Sequence, residues 1–203
     1  MPNQQPGVIV LCGGTSRRLA GLDKTRESLA ETTVMDHLLD ALPLGWDVVC
    51  VGEERATTRS VEWCRESPAG GGPVAGIAAG LDHLGRRGTE ICLVVGGDMP
   101  FAAPALPRLV DMLNARPELD AMLATDPSER RQPLLAAYRC GALRAALPRE
   151  PAGARLMVVV EALVIGALAC EAQVTLDVDT PEALADYQAA KRAHKIAMRA
   201  QRS

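Results

Sequence analysis

The sequence predicts an α/β fold, a mostly parallel sheet covered by helices on both faces in Rossmann-like fashion. Three observations predict it. Short apolar runs alternate with segments of helical period along the chain. The strongest runs are continuously apolar, as parallel strands buried on both faces are. The residues that break the pattern, glycine, arginine, lysine and aspartate, gather directly after the runs, at the strand ends where open sheets of this kind bind ligands.

Each element follows from its local pattern. "GVIVLC" reads as a buried parallel strand. "TVMDHLLDAL" reads as a helix with Val34, Leu38, Leu39 and Leu42 on one face, stopped by Pro43. "WDVVCVG" is a second strand and "SVEWC" a candidate third. "VAGIAAGLDHL" is a helix of small residues, "EICLVVGG" a strong strand and "PALPRLVDMLNA" a helix. "DAMLAT" and "PLLAAYR" are expected strands, the second a candidate for an antiparallel or edge position. "GALRAALP" is a short helix. "LMVVVEALVIGALAC", Leu156 to Cys170, is expected to be a mostly buried helix that can run into a strand. "VTLDVDT" is read as a last strand and "PEALADYQAAKRAHKIAMR" as a terminal helix. No linker, repeat or low-complexity segment divides the chain, so residues 1–203 are read as one domain.

Composition narrows the function. The chain of 203 residues is 48% hydrophobic and carries a net charge of −3, which argues against non-specific nucleic-acid binding. Its few aromatic residues, Trp46, Trp63, Phe101, Tyr138 and Tyr187, cannot line a base-stacking platform along a single strand. The six cysteines include no C-x-x-C pair and read as free thiols of a reducing compartment. The three histidines lack zinc-ligand spacing. No charged-then-apolar leader opens the chain, and the run from Leu156 contains Glu161 and falls short of the roughly 20 residues a span needs. The expected location is the cytoplasm.

Four strand ends carry the chemistry. After the first strand, Gly13 and Gly14 allow backbone amides to approach an anion, and Arg17, Arg18 and Lys24 add positive charge, a set suited to polyphosphate. Asp23 stands where a Walker A loop requires glycine before its lysine, so this is a different cradle. In "SPAGGGPVAGIAAG" three glycines and a proline precede a helix, whose amino terminus can bind anions or base edges. Gly76 and Gly80, four residues apart, bare one helix face. "VVGGDMPF" ends a buried strand with Asp98 at the sheet's edge; a carboxylate facing a phosphate cradle needs a cation between them, and Mg²⁺ meets that need. In "VTLDVDT" strand alternation would put Asp177 and Asp179 on one face, with Thr180 and Pro181 opening the next helix.

With these residues in place, the chain resembles the MobA-like molybdenum cofactor guanylyltransferase family of the nucleotidyltransferase superfamily. The resemblance rests on five segments in order: "LCGGTSRRLAGLDK", "GPVAG", "GDMPF", "QPLLAAY" and "DVDTPEA". It implies a Rossmann-like nucleotidyltransferase fold and Mg²⁺-dependent transfer of GMP from GTP to molybdopterin, a phosphate-bearing acceptor. By the same resemblance Leu11, Gly13, Gly14, Arg18 and Lys24 hold the triphosphate, with Arg18 and Lys24 catalytic beside Asp98. Gly72, Pro73 and Gly76 contact base and ribose through backbone. Asp98 and Asp179 hold the metal, and Gln132 faces the acceptor. Cys12 and Ala20 depart from alanine and glycine in the family's first loop. Ser67 stands where many members carry an acid, and the "DVDT" ending is closer to the sugar and cytidylyl branches. A cytidylyl- or sugar-phosphate nucleotidyltransferase, or a nucleotide-binding paralogue without activity, is therefore the alternative reading, and Asp177 the alternative second ligand. No Ser-His or Cys-His pair is evident. Transfer to a phosphate monoester needs none, because that nucleophile is already anionic.

Overall fold

Three runs with no charged residue at their centre, "VIV", "VVCV" and "CLVV", lie side by side in the middle of the sheet because nothing in them tolerates water on either face. The computed structural model describes residues 5–13, 28–29 and 32–178. In chain order its elements are β1 (Gly7–Leu11), β2 (Ser28–Leu29), β3 (Thr32–Thr33), α1 (Val34–Ala41), β4 (Asp47–Val51), β5 (Glu62–Cys64) and α2 (Pro73–Gly85). β6 (Ile91–Gly96), α3 (Ala105–Asn114), β7 (Ala121–Thr125), β8 (Arg131–Arg139), α4 (Cys140–Ala146), α5 (Leu156–Glu161) and β9 (Ile165–Ala169) follow.

Seven strands form one sheet in the order β5-β4-β1-β6-β8-β7-β9, and β2 and β3 make a separate two-stranded hairpin. β8 runs antiparallel to both its neighbours, and the other pairings in the large sheet are parallel. β8 was expected to be antiparallel or at an edge; it is antiparallel and interior. The chain leaves β1 for β4 on one side and returns to β6 on the other. The carboxyl ends of β1 and β6 therefore flank the switch point of the sheet, where a ligand can enter between diverging connections.

Strand alternation divides the core. Val8 and Val10 of β1 join Leu93 and Val95 of β6 under α1 and α3. Ile9 and Val94 face α2 on the other side, with Ile77, Leu81 and Tyr138.

α2 fits β1 residue by residue. A Cβ added to Gly80 would lie 2.6 Å from Ile9 Cγ2, and one added to Gly76 3.0 Å from Leu11 Cδ2. At the other end Leu84 packs over Gly7, where a Cβ would lie 2.6 Å from Leu84 Cδ1. Four helical residues rise about 6 Å and two strand residues span about 6.6 Å, so the helix stripe 76, 80, 84 matches the strand stripe 11, 9, 7. The bare helix face anticipated at Gly76 and Gly80 is used for this close approach, which sets the amino end of α2 at the carboxyl end of β1. Its far end is fastened by Arg87 to Asp47 at 2.7 Å and to Glu62, with His83 also on Glu62.

α1 starts at a capping box: Thr33 Oγ1 accepts from the Asp36 N–H at 3.1 Å, and Asp36 accepts from the Thr33 N–H at 3.3 Å. The Asp36 carboxylate also accepts from the Thr58 N–H at 3.0 Å, tying the β4–β5 connection to the helix.

Two expectations are corrected. The run from Leu156 does pass from a helix into a strand, β9, as expected, but the helix has six residues and is not mostly buried: Met157 and Val158, and Val164 after it, are exposed. Only Val159 and Val160 of the helix are buried, because α5 presents one side to the sheet over β8. Within "VTLDVDT", Val174–Val178 form turns and irregular backbone, not a strand. The Val174 N–H bonds the Glu171 carbonyl within a local turn, and that of Val178 leaves to bond Asp98. The expected terminal helix, 181–199, lies outside the described residues. Among the described residues no helix is long and apolar enough to cross a membrane.

Candidate active site

The strand ends at the switch point are stitched by hydrogen bonds that continue the sheet past its last paired residues. The Cys12 N–H bonds the Val51 carbonyl, Gly52 bonds Cys64 and Gly97 bonds Leu11, each at 2.9 Å. Leu11, Gly13, Gly52 and Gly97 thus come to one edge. Cys12 turns its thiol inward to the Val10 carbonyl at 3.4 Å and Met35 Sδ at 3.3 Å, so the sulfur packs beneath the turn and the departure from alanine is accommodated in the core.

Gly13 is exposed at the end of β1. A Cβ there would lie 3.9 Å from Glu66 Oε1, which accepts the Gly70 N–H at 2.9 Å. Glu66 thus brings a half-buried carboxylate to the glycine turn. Sequence reasoning missed it by looking one residue later, at Ser67. The available signal was an acid between the strand "EWC" and the proline-glycine loop.

That loop runs into α2 through Gly72, whose φ of 86° is a left-handed value glycine adopts without strain. Space is not the constraint there, since a Cβ at Gly72 would meet nothing within 4 Å. Gly72 and Pro73 are exposed, and among the described residues no side chain caps the α2 amino terminus or partners its first-turn N–H groups. Gly76 is buried against Leu11 and Val51 and supports this end of the site from below.

Asp98 stands two residues beyond β6, half-buried. A Cβ on Gly96 would lie 2.5 Å from its Oδ1, so the missing side chain at Gly96 makes the room the carboxylate occupies. The Val178 N–H bonds the Asp98 carbonyl at 2.8 Å, and the Val178 side chain is buried with Val34 against Phe101. Asp98 and a segment about 80 residues later in the sequence are thereby fixed side by side. Gly14, Arg18, Lys24 and Asp179 lie outside the described residues. Among the described residues no three His, Cys, Asp or Glu side chains cluster as a metal site.

Beyond Asp98, along the same edge, a cavity of about 640 Å³ opens between the β7–β8 turn and residues 172–177. Gln132 and Asp177 line it, together with Asp126, Arg130 and Arg131, which the sequence reading did not single out. Hydrogen bonds from the backbone N–H groups of Arg130 and Ser128 and from Arg130 Nε hold the Asp126 carboxyl below its usual pKa, with the Arg130 N–H the largest contributor.

Comparison with known proteins fits this geometry. Residues 8–164 match the family model described as MobA-like NTP transferase domain. The chain belongs to that family. A probable molybdenum cofactor guanylyltransferase of Pelotomaculum thermopropionicum is 31% identical over 140 residues, covering 68% of this chain and 65% of that protein. The match spans about half to two thirds of the length of such curated relatives. Among solved structures, molybdopterin-guanine dinucleotide biosynthesis protein A of Archaeoglobus fulgidus superposes with a TM-score of 0.67 at 24% identity, over 95% of this chain and 99% of that one. The 2-C-methyl-D-erythritol 4-phosphate cytidylyltransferase of Thermus thermophilus superposes with a TM-score of 0.68 at 17% identity, over 93% and 99%. The fold is thus shared between proteins named for different nucleotides.

Proposed function

We propose that this MobA-like NTP transferase moves GMP from GTP to the phosphate monoester of a molybdopterin-type acceptor and releases pyrophosphate. The observation that carries this reading is the Asp98 carboxylate at the switch point, one strand from the Gly13 turn and hydrogen-bonded through its backbone to Val178. A triphosphate laid over Gly13 and the amino end of α2 would bring its α-phosphorus toward Asp98.

The residues fit Mg²⁺. They offer carboxylate oxygens, and Mg²⁺ is commonly held by one or two carboxylates completed by substrate phosphates and water. Asp98 is one ligand and Asp179, next after Val178 in sequence, the other. When bound, the ion neutralises charge on the reacting phosphates. The chain's residues do the rest. Gly13 and Gly14 give backbone N–H donors to phosphate, and Arg18 and Lys24 bind the leaving pyrophosphate. An acceptor phosphate oxygen forms the new bond to the α-phosphorus while the α–β bridging P–O bond breaks, its electron pair leaving with pyrophosphate. No protein base is needed, because the attacking oxygen is already anionic.

Glu66 favours guanine. A carboxylate accepts two hydrogen bonds, and guanine offers adjacent N1–H and N2–H donors, whereas cytosine and adenine offer one amino group each. The test is pyrophosphate release and thermal stabilisation with each nucleoside triphosphate, using molybdopterin and sugar phosphates as acceptors. GTP with Mg²⁺ is expected to raise the melting temperature most and to turn over only with molybdopterin. Equal or better stabilisation by CTP, or turnover with a sugar phosphate, would replace this reading with the cytidylyl or sugar-phosphate one. Stabilisation without turnover would mark a paralogue that only binds nucleotide.

A further inference from the structure

The cavity beyond Asp98 is lined by an arginine tied to a carboxylate of its own turn. Asp126 closes a tight turn: its N–H bonds the Arg130 carbonyl at 3.1 Å, and its carbonyl accepts the Glu129 N–H at 2.8 Å. Glu129 takes the left-handed φ of 60° that such a turn requires. The Asp126 carboxylate is only 8% exposed, and its Oδ2 accepts Arg130 Nε at 2.8 Å. With Nε on the carboxylate, one edge of the guanidinium is tied to the turn, and the end formed by its two terminal amino groups stays open to an anion. Among the described residues those amino groups have no protein partner, while the Arg130 side chain as a whole is 79% exposed. A planar fork with its terminal donors open is the geometry that accepts two oxygens of one phosphate.

The position gives the fork a purpose. Arg130 lies between β7 and β8, on the edge where β1 and β6 end, and the cavity wall continues through Leu176 and Asp177 to Val178, bonded to Asp98. We propose that Arg130 binds the oxyanion of the acceptor's phosphate monoester and that Asp126 is the positioning residue that aims it. This rests on the nucleotidyl-transfer reading only for the identity of the acceptor; the anion site itself follows from the fork and the cavity. The Asp126 carboxylate also closes the turn, its Oδ1 accepting the Ser128 and Arg130 N–H groups while Oδ2 holds Arg130 Nε. Without it Arg130 would be one more mobile surface arginine, and the acceptor phosphate would have to be ordered anew at each encounter.

Two measurements test this. The first is nuclear magnetic resonance titration of the whole chain with inorganic phosphate, following the Arg130 Nε–H and Gln132 side-chain amide signals, with and without saturating GTP. Saturable shifts at both groups that persist with GTP are expected. Arg130→Gln should weaken phosphate binding there at least tenfold, and Asp126→Asn severalfold. Shifts confined to the Gly13 turn, or abolished by Lys24→Ala or by GTP, would mean that phosphate occupies the triphosphate cradle and would overturn the assignment. The second is steady-state pyrophosphate release with molybdopterin. Arg130→Lys should raise the acceptor KM tenfold or more and leave the KM for GTP unchanged, because lysine keeps the charge and loses the fork. A raised KM for GTP, or an unchanged acceptor KM, would refute it. If the wild type releases no pyrophosphate with molybdopterin, the proposed reaction fails while the phosphate titration still decides the cavity.

Discussion

The sharpest perturbation available is a single methyl group at Gly96. In Gly96→Ala the new Cβ would lie 2.5 Å from Asp98 Oδ1, with Met99 Cγ at 3.3 Å and Sδ at 3.5 Å. Real side chains do not approach closer than 3.0 Å, so the carboxylate must retreat by at least 0.5 Å. The clash is with the tip of a short side chain, which can swing, and not with backbone. The fold should therefore lose little, about 1 kcal/mol or less, and the melting temperature should fall by only about 2–4 °C for a chain of this size. Catalysis should lose much more, because displacing a group by roughly 1 Å at a reacting centre costs about 100-fold, equivalent to about 2.7 kcal/mol on the barrier. The assay pairs a thermal melt with single-turnover pyrophosphate release, and adds nucleotide-induced stabilisation to show that the triphosphate still binds. Wild-type turnover by a stable Gly96→Ala protein would refute the assignment of Asp98 to the reacting centre. Collapse of the melt would show instead that Gly96 serves packing.

Asp98→Asn and Asp179→Asn are each expected to lower kcat about 100-fold or more, and the double variant to be little worse than either, since ligands of one ion act as a unit; additive losses would separate them. Gly80→Ala should destabilise by about 1–3 kcal/mol through its 2.6 Å approach to Ile9. In a denaturant double-mutant cycle with Ile9→Ala the combined cost should be less than the sum, and strict additivity would contradict the α2–β1 contact. Burial raises the Asp36 pKa, but hydrogen bonds from Thr33 and Thr58 outweigh it and hold the carboxyl below its usual 3.8. A depressed folded pKa means that the carboxylate's contribution is fully present above the unfolded value and is lost as pH falls through the folded one. Asp36→Asn should therefore cost about 1–2 kcal/mol at neutral pH and flatten the acid limb of stability below about pH 4; an unchanged acid limb would deny the capping role.

The centre of the sheet was legible because its strands hold apolar runs; "VIV" and "CLVV" permit little else once both faces must be dry. The margins were less legible. "LMVVVEALVIGALAC" carries the same hydrophobicity as a core helix, yet only two residues of the helix it forms are buried. Hydrophobicity states what a segment tolerates, and position decides what it receives. "VTLDV" alternates as a strand does, but its last N–H goes to Asp98, and a pattern of period two cannot announce a partner about 80 residues earlier. Gly13, Gly72 and Asp98 could be picked out as candidates, because glycine and a strand-end acid are rare enough to stand out. Glu66, Asp126 and Arg130 could not, because ordinary charges on turns look alike until a turn closes around them.

The glycine stripe of α2 shows why packing and binding cannot be separated in this chain. Gly76 and Gly80 carry no side chain, and both are buried against β1. A helix held farther off by methyl groups would still cover the sheet, but its amino end and the Gly72 turn would rise away from Gly13 by the same amount. Because the stripe matches β1 in register as well as in depth, a helix displaced along the strand would set Gly80 against a different side chain and lose the fit. The contact that lets α2 lie close thus also fixes where its open first-turn N–H groups stand relative to the end of β1. A motif that looks like a binding loop is, in its second half, the ruler that places the first half.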